Sequence, residues 1–123
     1  MAKRVLIVED DNFLLGLEAK KLKDKGYDVL SAANSTEAFK IIDSKEPIDL
    51  VLLDLMLPDV DGFEILKKIR EDVNLSKVPV VIFSNLYEEK DLKKATKLGI
   101  SNFMIKSNFT LDELTERIKK LIG

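Results

Sequence analysis

Acidic side chains follow two apolar runs of this chain, at the point where each run ends. The run Val5–Val8 leads to Glu9 and Asp10, and the run Leu50–Leu53 leads to Asp54. The carboxyl ends of parallel strands lie along one edge of a sheet, which is where ligands bind. Carboxylates brought together there repel one another unless a cation joins them. The spacing therefore predicts a metal site and, in Asp54, a carboxylate nucleophile.

The predicted metal is Mg²⁺. This ion takes oxygen ligands and is typically held by one or two carboxylates together with water and phosphate oxygens. Glu9, Asp10 and Asp54 would supply carboxylates directly or through water, and the backbone carbonyl of Met56 is a further candidate ligand. A carboxylate that faces Mg²⁺ stays ionised at neutral pH and is able to attack phosphorus.

Two other apolar runs each end in a polar residue of a different kind. Ser84 follows Val80–Phe83, and Lys106 follows Phe103–Ile105. The ammonium of Lys106 would pair first with Asp54 and then with a phosphoryl oxygen, whose charge it neutralises. The hydroxyl of Ser84 would donate to the phosphoryl group once it arrives. Together these residue types predict formation of an aspartyl phosphate.

The composition narrows the class of protein. The chain has 123 residues, 46% of them hydrophobic, and we expect one globular domain over residues 1–123. The formal net charge is -2 and no basic stripe is present, so we expect no direct nucleic-acid contact. Neither cysteine nor histidine occurs, which excludes disulfides and imidazole chemistry and favours a cytoplasmic location. No apolar run approaches the roughly 18 residues of a membrane span.

Hydrophobic periodicity alternates between strand and helix along the whole chain. Predicted strands cover roughly Arg4–Glu9, Tyr27–Ala32, Leu50–Asp54, Val78–Phe83 and Asn102–Ile105. Predicted helices begin at a cap on Asp11 or Asn12, at a capping box over Asn34–Glu37, after Gly62, near Glu88, and at a capping box of Thr110 with Glu113. Five alternating pairs imply right-handed crossovers and a parallel sheet covered by helices on both faces.

The motifs at the strand ends resemble those of the receiver domain of two-component response regulators, of the chemotaxis-regulator type. They are Val5–Asp11, Leu52–Gly62, Val81–Ser84 and Phe103–Lys106. The resemblance implies a flavodoxin-like (βα)5 fold, a doubly wound α/β sheet with strand order 2-1-3-4-5.

The resemblance also implies roles for particular residues. Asp54 would be the phosphoacceptor, Glu9 and Asp10 would bind Mg²⁺, and Ser84 and Phe103 would change conformation on phosphorylation. The phosphodonor would be a sensor histidine kinase or a phosphotransfer protein. The output would pass to a downstream effector or output domain, and a homodimer through the fourth helix, fifth strand and fifth helix is a further expectation. The chain would not be an enzyme in the usual sense, since it promotes only its own phosphorylation and slow dephosphorylation.

Two positions depart from the usual pattern of that family. Ser107 follows Lys106 where a proline, often preceded by a cis bond, is usual. A non-proline cis bond costs about 2.5–4 kcal/mol, so a trans bond with a rearranged loop is the alternative. Asn85 follows Ser84 where a smaller residue is usual, and it would narrow access to Asp54 or bond to the phosphoryl group.

Three other hypotheses fit parts of the pattern. A haloacid-dehalogenase-like phosphatase would need a second aspartate two residues after Asp54, where Met56 stands. A flavodoxin-like flavin carrier would need a phosphate-binding loop after the first strand, where the acids would repel phosphate. A degenerate receiver, which binds partners without phosphorylation, remains the main alternative because of Ser107 and Asn85.

Overall fold

The computed structural model describes residues 2–123 and contains a sheet of five parallel strands in the order β2-β1-β3-β4-β5. This is the predicted order. The strands are β1 (Arg4–Val8), β2 (Asp28–Ala32), β3 (Leu50–Leu53), β4 (Val80–Ser84) and β5 (Asn102–Ile105). The register aligns the ends of β1 and β3 by pairing Val8 with Leu53, so the residues that follow these strands emerge side by side.

Helices cover both faces of the sheet. They are α1 (Asn12–Asp24), α2 (Ser35–Asp43), α3 (Gly62–Glu71), α4 (Glu89–Leu98) and α5 (Leu111–Ile122). One apolar cluster fills the space between the sheet and α2, α3 and α4, and a second lies between the sheet and α1 and α5. A doubly wound α/β fold results, as the alternating periodicity predicts.

The burial of each strand explains its sequence. Every residue of β3 and β4 is buried, and so is every residue of β1 except Arg4, because these three strands have a neighbour on each side and helices on both faces. The edge strands β2 and β5 are only partly buried. The uninterrupted apolar runs therefore mark the centre of the sheet. The carboxyl ends of these three central strands carry Glu9, Asp54 and Ser84.

Several predicted boundaries are wrong by one or two residues. Strand β1 ends at Val8 and β3 at Leu53, so Glu9 and Asp54 lie just beyond their strands. Strand β4 begins at Val80 and includes Ser84, which pairs with Ile105 of β5. Strand β2 begins at Asp28 and helix α4 at Glu89, each one residue later than predicted. Strands β1 and β3 end with their apolar runs, at Val8 and Leu53, whereas β4 continues one residue beyond its run.

Two of the predicted helix caps form as expected, and one forms only in part. Asp11, one of the two predicted candidates, caps α1 by accepting hydrogen bonds from the N–H groups of Phe13 and Leu14. Thr110 and Glu113 form the predicted capping box of α5. The box predicted for α2 is incomplete, because the Glu37 carboxylate accepts from the N–H of Ala33.

The loop between β3 and α3 closes tightly on itself. The N–H of Gly62 donates to the carbonyl of Leu55 at 3.1 Å, and Met56 pairs with Asp61 as an isolated bridge. A Cβ atom at position 62 would lie 2.5 Å from the Cα of Leu55, so only glycine fits there without a shift of the backbone. The residues immediately after Asp54 are thereby fixed in place.

Within residues 2–123, none of the helices combines the length and apolar character needed to cross a lipid bilayer.

Candidate phosphorylation site

Asp54 is a buried carboxylate, 4% exposed, with a hydrogen-bond partner on each oxygen. Its Oδ1 accepts from the hydroxyl of Ser84 at 2.6 Å and from the N–H of Met56 at 2.9 Å. Its Oδ2 accepts from Nζ of Lys106 at 2.6 Å. Side chains at the carboxyl ends of β3, β4 and β5 therefore meet at one carboxyl group, as the order of the strands requires.

Lys106 also bonds to Glu9, with Nζ 2.7 Å from Oε1. Burial lowers the pKa of the lysine, but its hydrogen bonds to Asp54 and Glu9 outweigh burial and leave that pKa raised. The ammonium therefore stays charged across the physiological range. One fixed positive charge lies between two buried carboxyl groups.

Three carboxyl groups converge beside that lysine. Glu9, Asp10 and Asp54 each offer one oxygen, and these oxygens lie within 4.8 Å of one another. Burial raises the pKa of Glu9 to about 7, although its hydrogen bond to Lys106 opposes the shift. A cation would offset this crowding of negative charge, and oxygen donors of this type fit Mg²⁺. This acidic cluster could therefore hold a divalent metal ion.

Lys106 occupies the predicted position although serine rather than proline follows it. No cis peptide bond occurs within residues 2–123, so the Lys106–Ser107 bond is trans, and residues Lys106–Asn108 form a short 3₁₀ turn. The lysine still reaches Asp54 and Glu9 from this turn. Asn85, the second departure, is exposed at the end of β4, and its effect on access stays a prediction.

The two residues assigned to the switch by resemblance lie on neighbouring strands. Ser84 is fully buried, and its Oγ both donates to Asp54 and accepts from the N–H of Leu86 at 3.2 Å. Phe103 on β5 is half-buried and packs edge-on against the ring of Tyr87, with centroids 5.8 Å apart. Leu86 and Tyr87 belong to the loop between β4 and α4, so both contacts involve the same loop.

A further charged residue near the site was not predicted from the sequence. Glu18, in the middle of α1, is 2% exposed, and its Oε1 has no hydrogen-bond partner among the described residues. Burial raises its pKa to about 8, and the nearby charge of Glu9 adds to the shift. The signal was its spacing: Leu14, Glu18 and Leu22 recur every four residues along the inward face of the helix.

The family model of the response regulator receiver domain matches residues 5–119 of this chain. The chain belongs to that family. This membership favours the receiver over the phosphatase and flavin-carrier hypotheses, and it makes the chain a signalling domain. The predicted fold and family are both confirmed.

Similar proteins agree with this assignment. The transcriptional regulatory protein CrdR of Helicobacter pylori is 37% identical over 100% of this chain and 56% of its own length. A CheY-like receiver domain protein from Methanospirillum hungatei superposes with a TM-score of 0.90 at 28% identity, covering 98% of this chain and 93% of that one. The phosphorylated cyanobacterial phytochrome response regulator RcpA superposes with a TM-score of 0.83 at 28% identity, covering 98% and 91%. The chain spans about half the length of the curated relatives that it matches.

Proposed function

We propose that this chain accepts a phosphoryl group on Asp54 from a phosphohistidine of a sensor kinase or phosphotransfer protein. The observation that carries the proposal is the partnered carboxylate of Asp54, with Lys106 on one oxygen and Ser84 on the other. These 123 residues contain no histidine, so the phosphohistidine would lie outside them. The phosphorylated state of RcpA, a relative of similar fold, supports the same chemistry here.

In the transfer step a carboxylate oxygen of Asp54 attacks phosphorus. A P–O bond forms as the P–N bond to the donor ring breaks, and the ring, protonated on its other nitrogen, leaves as neutral imidazole with the electron pair of that bond. The ammonium of Lys106 pairs with the Asp54 carboxylate before transfer. Once Asp54 carries the phosphoryl group, this ammonium is free to pair with a phosphoryl oxygen. The hydroxyl of Ser84 can turn from Oδ1 to the same group.

Mg²⁺ would be held by Glu9, Asp10 and Asp54, with the backbone carbonyl of Met56 as a further ligand, and would neutralise charge on the transferring group. The converging oxygens of the three acids support this assignment. The N–H of Met56 already bonds to Asp54, which fixes that backbone segment beside the site.

The output follows from the loop that Ser84 controls. Phosphorylation adds about -1.5 to -2 charge and strong acceptor oxygens at Asp54. Movement of Ser84 toward them would pull the N–H of Leu86 and the loop that carries Tyr87, and would release Phe103 to turn inward. The face formed by α4, β5 and α5 would then differ between the two states, and a partner with different affinities for the states would shift their populations.

We assign the downstream partner as an effector protein or an output domain, and a homodimer through α4, β5 and α5 is a second arrangement of the same face. The relatives that extend beyond the matched segment are transcriptional regulators, which supports an output domain acting in the cytoplasm. The chain itself would make no nucleic-acid or membrane contact and would act as a phosphoacceptor rather than as an enzyme with turnover on other substrates.

The test is the intact mass of the protein after incubation with acetyl phosphate, with Mg²⁺ and with chelator. We expect a Mg²⁺-dependent gain of one phosphoryl group, which is lost in Asp54→Asn. Asp49→Asn, which removes the same charge at the other end of β3, should still be phosphorylated. An absent adduct together with absent Mg²⁺ binding would instead assign the chain as a phosphorylation-independent binding module.

A further inference from the structure

A cavity of about 550 Å³ opens beside the phosphorylation site. It lies between the loop after β3, which contributes residues 55–61, and the start of α4, which contributes Asp91. Phe63 and Leu86 complete its apolar wall, and Asp10 forms the border with the acidic cluster. Asp10 and Met56, which lie next to Asp54, are both lining residues of the cavity.

The charges that line the cavity are all negative. Asp10, Asp59, Asp61 and Asp91 contribute carboxyl groups, and no lysine or arginine is among the lining residues. Two of these carboxylates already have partners: Asp59 accepts from the hydroxyl and the N–H of Ser35, and Asp61 caps α3. Asp10 belongs to the cluster around Asp54. These contacts leave Asp91 as the carboxylate to be explained.

Asp91 is 8% exposed, and its Oδ2 is buried without a hydrogen-bond partner among the described residues. A buried carboxylate oxygen without a partner costs free energy, so a donor that reached this carboxyl group would be stabilising. Lys94, one turn further along α4, places its ammonium 4.4 Å from the ring centroid of Phe63. That lysine forms no ion pair with Asp91 within residues 2–123.

We propose that this cavity receives an arginine side chain of the protein that delivers the phosphoryl group. A guanidinium is weakly hydrated and donates in pairs to carboxylates, while its aliphatic stem packs on apolar walls such as Met56 and Leu86. Asp91 is the buried carboxylate that it would meet. The inference rests on the proposed function, because it places the arginine on the phosphodonor.

The donor protein is the natural source of this side chain because the two sites share a border. Asp54 is only 4% exposed, so a phosphohistidine that reaches it must come close to its neighbours, among them Asp10 and Met56. Both residues also line the cavity. A side chain on the donor's contact surface therefore lies within reach of Asp91 when the phosphoryl group lies within reach of Asp54.

The probe is N-acetyl-arginine methylamide, titrated into the isotope-labelled protein in saturating Mg²⁺ and followed by amide chemical shifts. The matched probe is N-acetyl-citrulline methylamide, which has nearly the same shape but no charge. We expect the arginine compound to bind in the millimolar range, at least about tenfold more tightly than the citrulline compound. The shifts should be confined to residues 56–61, Leu86 and the first turn of α4.

Two variants locate the interaction. Asp91→Asn should lower the affinity for the arginine compound to that for the citrulline compound. Glu89→Gln removes the same charge from the same turn of α4, outside the cavity, and should leave the affinity unchanged within about twofold, since exposed charges act weakly. Equal binding of the two compounds, or equal binding by the Asp91→Asn variant, would overturn the inference.

The affinity for the arginine compound shows whether the cavity takes a side chain of a partner protein or a free small molecule. Millimolar binding fits a group that acts only as part of a larger interface, whereas micromolar binding would make the cavity a small-molecule site and overturn the assignment to the donor. Phosphorylation by acetyl phosphate, measured on the same samples, keeps the two proposals apart. Phosphorylation without selective arginine binding removes only this inference, while selective binding without phosphorylation removes the proposed function and the assignment to the donor with it.

Discussion

Asp54 and Glu18 are both carboxyl groups withdrawn from water, and they differ in what surrounds them. Asp54 is 4% exposed and accepts three hydrogen bonds, one of them from an ammonium. Glu18 is 2% exposed, has an unpartnered oxygen, and has a pKa raised to about 8 by burial. Burial without donors therefore drives a carboxyl group toward its neutral form, as at Glu18, whereas each oxygen of Asp54 has a donor.

The largest expected effect comes from replacing the unpartnered acid. The pKa of Glu18 is raised in the folded protein from an ordinary value of 4.5 to about 8. Its contribution to stability is therefore fully present below pH 4.5 and is lost as the pH rises toward 8. We expect Glu18→Leu to raise the free energy of unfolding by about 3 kcal/mol at pH 7, and the gain over the wild type to grow by roughly 1.4 kcal/mol per pH unit between about pH 5 and 7.

Urea denaturation across that pH range measures this gain. Glu18→Gln is the matched control, since it removes the ionisable group but keeps a polar atom in the same place. Its gain over the wild type should rise with pH at the same slope as that of leucine and should be smaller by a constant amount. A wild-type protein no less stable than the leucine variant at pH 7 would mean that Glu18 has a partner after all.

A smaller effect is expected from removing the ammonium that distinguishes Asp54. Lys106→Met should lower the free energy of unfolding at pH 7 by about 2 kcal/mol, because it leaves two buried carboxyl groups without their shared cation. This is less than the roughly 3–5 kcal/mol of a fully buried pair, since the lysine side chain keeps some contact with water.

Lys20→Met is the control for that loss, because it breaks an exposed ion pair with Asp24 and should change stability by less than about 0.5 kcal/mol. Chemical denaturation in the absence of Mg²⁺ compares the three proteins. If the two lysine variants behaved alike, the partners of Asp54 would not account for its difference from Glu18.

The smallest expected effect concerns Glu9. Like Asp54 it has the ammonium of Lys106 as a partner, and like Glu18 it has a pKa that is raised by burial. Burial raises its pKa to about 7 even though Lys106 bonds to it, so below that pH a proton must leave before the carboxylate can serve Mg²⁺. We expect the apparent Mg²⁺ affinity to rise by up to about tenfold per pH unit below pH 7 and to level off above it.

Calorimetric titration with Mg²⁺ at pH values of about 6, 7 and 8 measures this dependence. Glu9→Gln should bind more weakly and show a flatter profile. An affinity that stays constant between pH 6 and 8 in the wild-type protein would show that Glu9 takes no part in binding the ion.

The residues that end the strands were predictable because one physical rule governs them. An apolar run of strand length predicts a buried strand, and the polar residue after it must emerge at the edge of a parallel sheet. That rule predicted that Asp54, Ser84 and Lys106 lie close together, and the structure places them within hydrogen-bond distance. The hydrogen-bond partners of Glu37 and the bounds of β4 depend on tertiary contacts, which local patterns do not specify.

Glu18 and Asp91 were missed for a different reason. Both are acids within helices that also carry exposed charges, and the usual expectation for such residues is a solvated face. Glu18 follows the spacing of the inward residues of α1, but Asp91 lies in the first turn of α4, where an acid is favoured by the helix dipole alone. Only the position of α4 against the loop after β3 shows that Asp91 is buried.

The edge-on contact of Tyr87 with Phe103 links the intrinsic tyrosine fluorescence of this protein to the conformation of the loop after β4. The chain has no tryptophan and only two tyrosines, so its fluorescence comes from Tyr27, buried beneath α1 and α5, and from Tyr87, about half exposed. Only Tyr87 packs against Phe103 and lies on the loop after Ser84. Tyrosine fluorescence therefore reports movements of that loop without an added label. The Tyr87→Phe variant is the control, because its emission comes from Tyr27 alone.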